Sequence, residues 1–270
     1  YAFIDEWNAS AKQEKLFEIA DDITERMRLT ERLKQMDTAI LMQSDSLPCI
    51  DAVIIERFLQ EIAENVIKTE EILNVTESRR TAKWYNRYAY LYDGLYYIAK
   101  MQEFHYAHIT GFHFGTEKEL WDSYCKELYW MDTYYRRLHM DFRKSLFNTL
   151  GTLDDLFKSA VVTAEHLYQN WYLSELNGSW NSLIKESVAD GFSLRGIPQQ
   201  CDFYRYVVQP LTNDSRVFVI ISDALRYEVA TELTEKLLRE TNGTAKQSAM
   251  QSVFPSITKF GMAAYSPIQH

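Results

Sequence analysis

Cysteine is scarce in this chain. Cys49, Cys125 and Cys201 are odd in number, far apart and outside any CxxC spacing, which argues against both a disulfide framework and a cysteine zinc site. A reducing cytoplasm is the expected compartment. No apolar run is long enough to span a bilayer, and the N-terminus carries neither a basic n-region nor an apolar h-region. No membrane partner is expected, and the sequons at Asn74 and Asn242 read as chance matches. Basic charge is not in excess: 29 Lys and Arg against 38 Asp and Glu give a formal net charge of −9. Such a chain as a whole repels a phosphate backbone unless its cations gather on one face. The first residue is Tyr1 rather than Met, and the expectation is a piece of something longer.

What the chain does have is apolar material and helical periodicity. Its 270 residues are 46% hydrophobic and 25% charged, enough for one or two cores. To roughly Gly191, apolar residues recur at spacings of three and four. Leu16, Ala20, Ile23 and Met27 form one stripe, and Ile55, Leu59, Ile62 and Val66 a second, with Asp51 as the expected N-cap between them. A third helix runs from Trp84 through Leu91, Leu95 and Met101 to His105 in a near-heptad register. A fourth opens on the capping box Thr116-Glu117-Lys118-Glu119, and a fifth starts near Thr152. The expectation is an α-helical bundle or irregular helical domain over residues 1–195.

Three features of this region invite functional readings. "HYAHITGFH" brings His105, His108 and His113 close in sequence, as a metal site would, but His105 lies on the apolar stripe and no carboxylate completes the set. "RRTAKWYNRYAYLY" interleaves cations with aromatics as single-strand nucleic-acid binders do, yet half of those aromatics fall at core positions of the helix. The aromatic density of "YWMDTYY" and "NWYLSEL" suits a docking face for another protein. Internal packing or capping is the preferred reading of each.

Near residue 196 the pattern changes. Gly191, Gly196 and Pro198 break the helical register. Val217–Ser222 is then a continuous apolar run of strand length, the signature of a buried parallel strand. Residues 224–240 read as a helix and 246–253 as a second strand, so residues 196–270 are expected to hold one right-handed βαβ unit. Ligands of open parallel sheets bind beyond the carboxyl ends of the strands. Asp223 ends the first run, and Thr258 follows Pro255 at the end of the second. Neighbouring strands lie about 5 Å apart, so this carboxylate and this hydroxyl could share a divalent cation. The cation would stabilise the threonine alkoxide and neutralise phosphate oxygens, which is the chemistry of phosphoryl transfer. Each residue alone serves as readily as a helix cap.

Taken together, "VFVIISDALRYE" and "MQSVFPSITKFGMAA" resemble the PglZ family of the alkaline phosphatase superfamily, whose members belong to bacterial BREX phage-exclusion systems. The motifs cover the last quarter of the chain. The resemblance implies that residues 196–270 are the first βαβ portion of an alkaline-phosphatase-like α/β domain, incomplete in this chain. It makes Asp223 a metal ligand and Thr258 both nucleophile and metal contact. Ser256 becomes a turn-shaping neighbour, and Arg226 a phosphate-binding or ion-pair residue. The implied cofactors are two divalent ions, commonly zinc, and the implied partners are other BREX proteins and a phosphoester, nucleic acid included. The superfamily's remaining Asp and His ligands lie on later strands, and this chain ends at His270 after "YSPIQH", where an apolar pair and proline are expected. Half of the metal site is then absent, and this fragment alone is expected to be inactive. Two function classes follow: a metal-dependent phosphatase or phosphodiesterase of phage defence, or a catalytically silent phosphatase-like scaffold that assembles other BREX proteins.

Overall fold

The computed structural model describes residues 6–7, 10, 13–147, 150–185, 193–213 and 216–265. The break expected at Gly191 and the end of the chain after Tyr265 lie outside them. The chain divides into two compact units, one comprising residues 1–110 and 134–173, the other 111–133 and 174–270.

The first unit is helical. Gln13–Arg26, Pro48–Ala63, Thr69–Arg79, Tyr85–Ala107 and Thr152–His166 are its principal helices within continuous stretches of chain. Pro48–Ala63 packs on Thr152–His166, and Thr69–Arg79 on Tyr85–Ala107. Ile54, Ile55, Leu59, Ile62, Leu91, Leu95 and Phe157 are fully buried, so the second and third predicted stripes do face a core. The Tyr85–Ala107 helix comes close to Phe157 at Gly94, where a Cβ would sit 2.4 Å from the ring. Only glycine lets the backbone approach that far. Two of the predicted stripes fray at their ends: Ile23, Met27 and Val66 are exposed.

Asp51 is not an N-cap. Leu47 occupies that position with Pro48 following it, and Asp51 is fully buried inside the first turns. Its Oδ1 accepts hydrogen bonds from Arg79 Nε at 2.7 Å and from the Tyr92 hydroxyl at 2.5 Å, while Arg79 Nη1 donates to the Ser44 carbonyl at 2.9 Å. Burial works against the charge on Arg79, and the hydrogen bond to Asp51, the Asp51 charge and Tyr92 together outweigh it, so the guanidinium pKa is raised. Burial, reinforced by the Asp51 charge, pushes the Tyr92 hydroxyl well above its ordinary range.

The second unit has little regular structure beyond short helices: Glu117–Ser123, Ser174–Leu183, Tyr227–Glu240 and Thr258–Ala264. A small core of Ile184, Leu194 and Ile197 packs with Trp121 and Trp180. The capping box at residue 116 forms, with Thr116 Oγ1 accepting from the Glu119 N–H at 3.2 Å.

The βαβ unit expected over residues 196–270 is not found. Among the described residues no strand is formed, and the one pairing outside the helices is an isolated parallel bridge between Gln199 and Gln251. Along the run 217–222 the chain is irregular and forms no ladder, with Phe218 79% and Ile220 92% exposed. A parallel strand is held by neighbours on its edges and layers on its faces, and this run has neither here. The intervening helix begins at Tyr227 rather than 224.

Removing one partner of a buried ion pair strands the other charge without compensation. Asp51→Ala is therefore expected to lower the unfolding free energy of this chain by about 3–5 kcal/mol, as read from urea denaturation. A loss below about 1 kcal/mol, the range of exposed pairs, would show that Arg79 does not depend on Asp51.

Candidate functional site

The two residues singled out by chemistry meet. Thr258 Oγ1 donates a hydrogen bond to Asp223 Oδ2 at 3.1 Å, across 35 positions of sequence. Both side chains are exposed and line one cleft of about 220 Å³ together with Ser256, Ser222, Ser252 and Gln200. The pair is thus open to solvent in a cleft whose wall mixes these polar groups with Ile221, Leu225, Ile257 and Met262.

Neither residue acts as a helix cap. Arg226 stands at the N-cap position of the Tyr227–Glu240 helix, three residues beyond Asp223. Ile257 holds that position for Thr258–Ala264, and Thr258 is the first helical residue. The simpler explanation available for each from sequence therefore does not describe what its side chain does.

The loop bearing Asp223 is pinned where its helix begins. Arg226 Nη2 lies 3.2 Å from Asp132 Oδ1 and its Nε 3.1 Å from Glu228 Oε1, with both carboxylates buried. Tyr227 donates to the Cys125 carbonyl at 2.9 Å, and its ring meets those of Tyr124 and Tyr129 at 5.8 and 5.5 Å. Burial, aided by Cys125, pushes the Tyr227 hydroxyl up to about 12. Between this anchor and Asp223, Ala224 adopts the left-handed conformation with φ of 58°. A non-glycine residue there carries a local cost of about 1–2 kcal/mol, and such strain persists where surrounding contacts over-determine it. Arg226 does not line the cleft, and its guanidinium is engaged with two carboxylates.

A cation could bridge the pair. Two oxygens sharing an octahedral ion at about 2.1 Å are about 3 Å apart along an edge, close to the observed separation. The donor set, one carboxylate and one hydroxyl, suits a hard divalent ion. The fit covers one edge of a coordination shell, since among the described residues no group of three or more His, Cys, Asp or Glu converges as a metal site.

The other candidate groups are used internally. His105 sits edge-on to Trp171 at 4.4 Å, and burial lowers its pKa. His108 stacks on Phe104 at 4.2 Å, and His113 belongs to the second unit. Arg87 forks onto Asp21 at 3.1 and 2.8 Å and lies over Phe17, Arg79 is buried against Asp51, and Trp84 Nε1 donates to the Asp45 carbonyl. The basic-aromatic segment is thus largely core and its tethers.

The strained turn yields a direct test. Ala224→Gly is expected to stabilise this chain by up to about 1 kcal/mol, since it relieves the cost alanine already bears, less glycine's chain entropy, whereas Ala224→Val is expected to destabilise it, because a β-branched residue resists the left-handed region further. Urea midpoints decide, and equal midpoints for both variants would contradict the assigned backbone.

The comparisons with known proteins bear on this same region. Residues 203–270 match the family described as the BREX system PglZ alkaline phosphatase-like domain. Over 276 residues the chain is 30% identical to the alkaline phosphatase-like protein BrxZ of Escherichia coli O9:H4 (strain HS), covering 98% of this chain and 31% of the relative. It is 29% identical over 261 residues to the alkaline phosphatase-like protein PglZ of Bacillus cereus (strain H3081.97), covering 96% of this chain and 30% of that protein. The chain therefore spans about three tenths of the length of these curated relatives. No solved structure matches it. The similarity reaches beyond the cleft through nearly the whole chain, helical unit included, and on it the chain belongs to the PglZ family.

Proposed function

We propose that the full-length protein is a metal-dependent phosphatase or phosphodiesterase-like component of a bacterial BREX anti-phage system, with Thr258 as its nucleophile and Asp223 as a metal ligand. The observation that carries this reading is the 3.1 Å hydrogen bond from the Thr258 hydroxyl to Asp223 in an open cleft. The names of the relatives point the same way.

A threonine hydroxyl is a weak nucleophile until its proton has an acceptor. In this reading Asp223 Oδ2 holds that proton while Thr258 Oγ1 approaches phosphorus, a P–O bond forms and the ester oxygen departs. Divalent ions, zinc in the superfamily's usual form, would supply positive charge that favours the alkoxide and neutralises phosphoryl oxygens. Ser256 is suited to hydrogen-bond a phosphoryl oxygen from the cleft wall. Arg226 works through the loop, by holding Asp132 and Glu228.

The reactive pair lies within residues 196–270, and residues 1–195 form the helical region that accompanies it in the family. No described helix is long and apolar enough to cross a membrane. Cys49, Cys125 and Cys201 are free thiols, and we propose the cytoplasm as the compartment and other BREX proteins as partners. The substrate is a phosphoester. Nucleic acid is a weaker candidate for the helical region, because its arginines at 79 and 87 are committed to Asp51 and Asp21.

With an aryl phosphodiester and added divalent metal, the full-length Thr258→Ala and Asp223→Ala proteins are each expected to lose at least about 10³-fold in kcat/KM, as removal of a nucleophile does. Unchanged rates in both would overturn the reading, and normal phage resistance with Asp223→Ala would favour the scaffold instead.

A further inference from the structure

Thr258 is carried by a short helix preceded by an irregular turn, and the question is what fixes the direction of its hydroxyl. One buried side chain spans that whole segment. Gln200 is 7% exposed and reaches the cleft wall. Its Oε1 accepts from the Val253 N–H at 3.1 Å, and its Nε2 donates to the Gly261 carbonyl at 3.2 Å. Val253 lies five residues before Thr258 and Gly261 three after it, so a single carboxamide grips both flanks.

The grip has a fixed base. The Gln200 N–H donates to the Gln251 carbonyl at 2.8 Å, and the Gln251 N–H to the Pro198 carbonyl at 2.7 Å. Gln251 is itself buried, and its Oε1 accepts from the Leu194 N–H at 3.0 Å and from Gln199 Nε2 at 2.8 Å. The backbone around residue 200 is thereby held, and the carboxamide transmits that position onward. Gly261 is one helical turn from Thr258, so anchoring its carbonyl sets the rotation of the helix. That carbonyl also lies in the last turn, where helix acceptors lack partners of their own.

We infer that Gln200 is a positioning residue for Thr258, holding its hydroxyl in register with Asp223. The inference rests on the proposed role of Thr258 as nucleophile. The chemistry is selective. One arm must accept from an N–H and the other must donate to a carbonyl, and at this side-chain length only glutamine does both at neutral pH. Glutamate keeps the acceptor but sets a carboxylate against the Gly261 carbonyl. Leucine keeps the volume and loses both bonds.

The test compares full-length wild type, Thr258→Ala, Gln200→Leu and Gln200→Glu on an aryl phosphodiester with added divalent metal, with amide hydrogen exchange over residues 258–264 on the same proteins. Misplacement of a reacting group by about 1 Å costs about 10²-fold. Gln200→Leu is expected to lower kcat by about 10–10²-fold with KM within about twofold, and to speed exchange in that segment. Gln200→Glu is expected to show the same deficit at neutral pH and to recover towards wild type as the pH falls, because a protonated carboxyl donates to Gly261 again. A Gln200→Glu deficit that stays constant with pH, wild-type kcat in both Gln200 variants beside an inactive Thr258→Ala, or unaltered exchange in Gln200→Leu would overturn the positioning role and leave the nucleophile standing. A fully active Thr258→Ala would remove the nucleophile, and exchange would then judge the tether alone. Should Gln200→Leu fail to fold, the pH profile of Gln200→Glu decides.

Discussion

One hydrogen bond, from the hydroxyl of Thr258 to the carboxylate of Asp223, brings together two turns that are 35 residues apart. Its value depends on two separate tethers. The Asp223 loop is held behind by Arg226 between Asp132 and Glu228 and by Tyr227 against Cys125. The Thr258 turn is held by the Gln200 carboxamide. The two exposed groups are backed by buried polar ones, an economical way to keep a pair both accessible and oriented. An isolated hydroxyl–carboxylate contact at a surface would be worth little, since water competes for both groups. Held from behind, the same contact becomes a geometry that a cation or a phosphoryl group can meet already formed.

The helical unit uses its polar groups differently. Asp51, Arg79 and Tyr92 form a buried cluster inside it, at the cost of desolvating two charges. Arg87 ties Tyr85–Ala107 to Asp21 at the surface, where Asp21 stays exposed. Residues that looked like a basic, aromatic surface are spent on holding helices together.

The legibility of this chain followed the strength of local signals. The Tyr85–Ala107 helix and the Thr116 capping box were readable because periodicity and capping are written within a few turns. Thr69–Arg79 was missed, since its buried face mixes Ile72 and Val75 with Thr76 and Arg79 and shows no apolar stripe. Asp51 looked like a cap because an acid near a proline usually is one; its burial depends on Arg79, 28 residues away. At 217–222 the apolar, β-branched run states a strand preference, but β-structure is completed by neighbours, and without a ladder the run stays irregular and largely exposed. Of the candidate site, the sequence singled out Asp223 and Thr258, which the structure brings within hydrogen-bond distance. Gln200 was not: nothing in "IPQQ" separates a buried clamp from a polar loop, since its function lies in two partners 53 and 61 positions further on.

Anomalous diffraction from crystals of the full-length protein grown with zinc tests the central claim most directly. The account predicts an ion within about 2.0–2.2 Å of both the Asp223 carboxylate and the Thr258 hydroxyl, with the two oxygens roughly 3.4 Å apart as in a tetrahedral shell. An ion bound elsewhere, or the two side chains separated and turned away from a shared cleft, would contradict it.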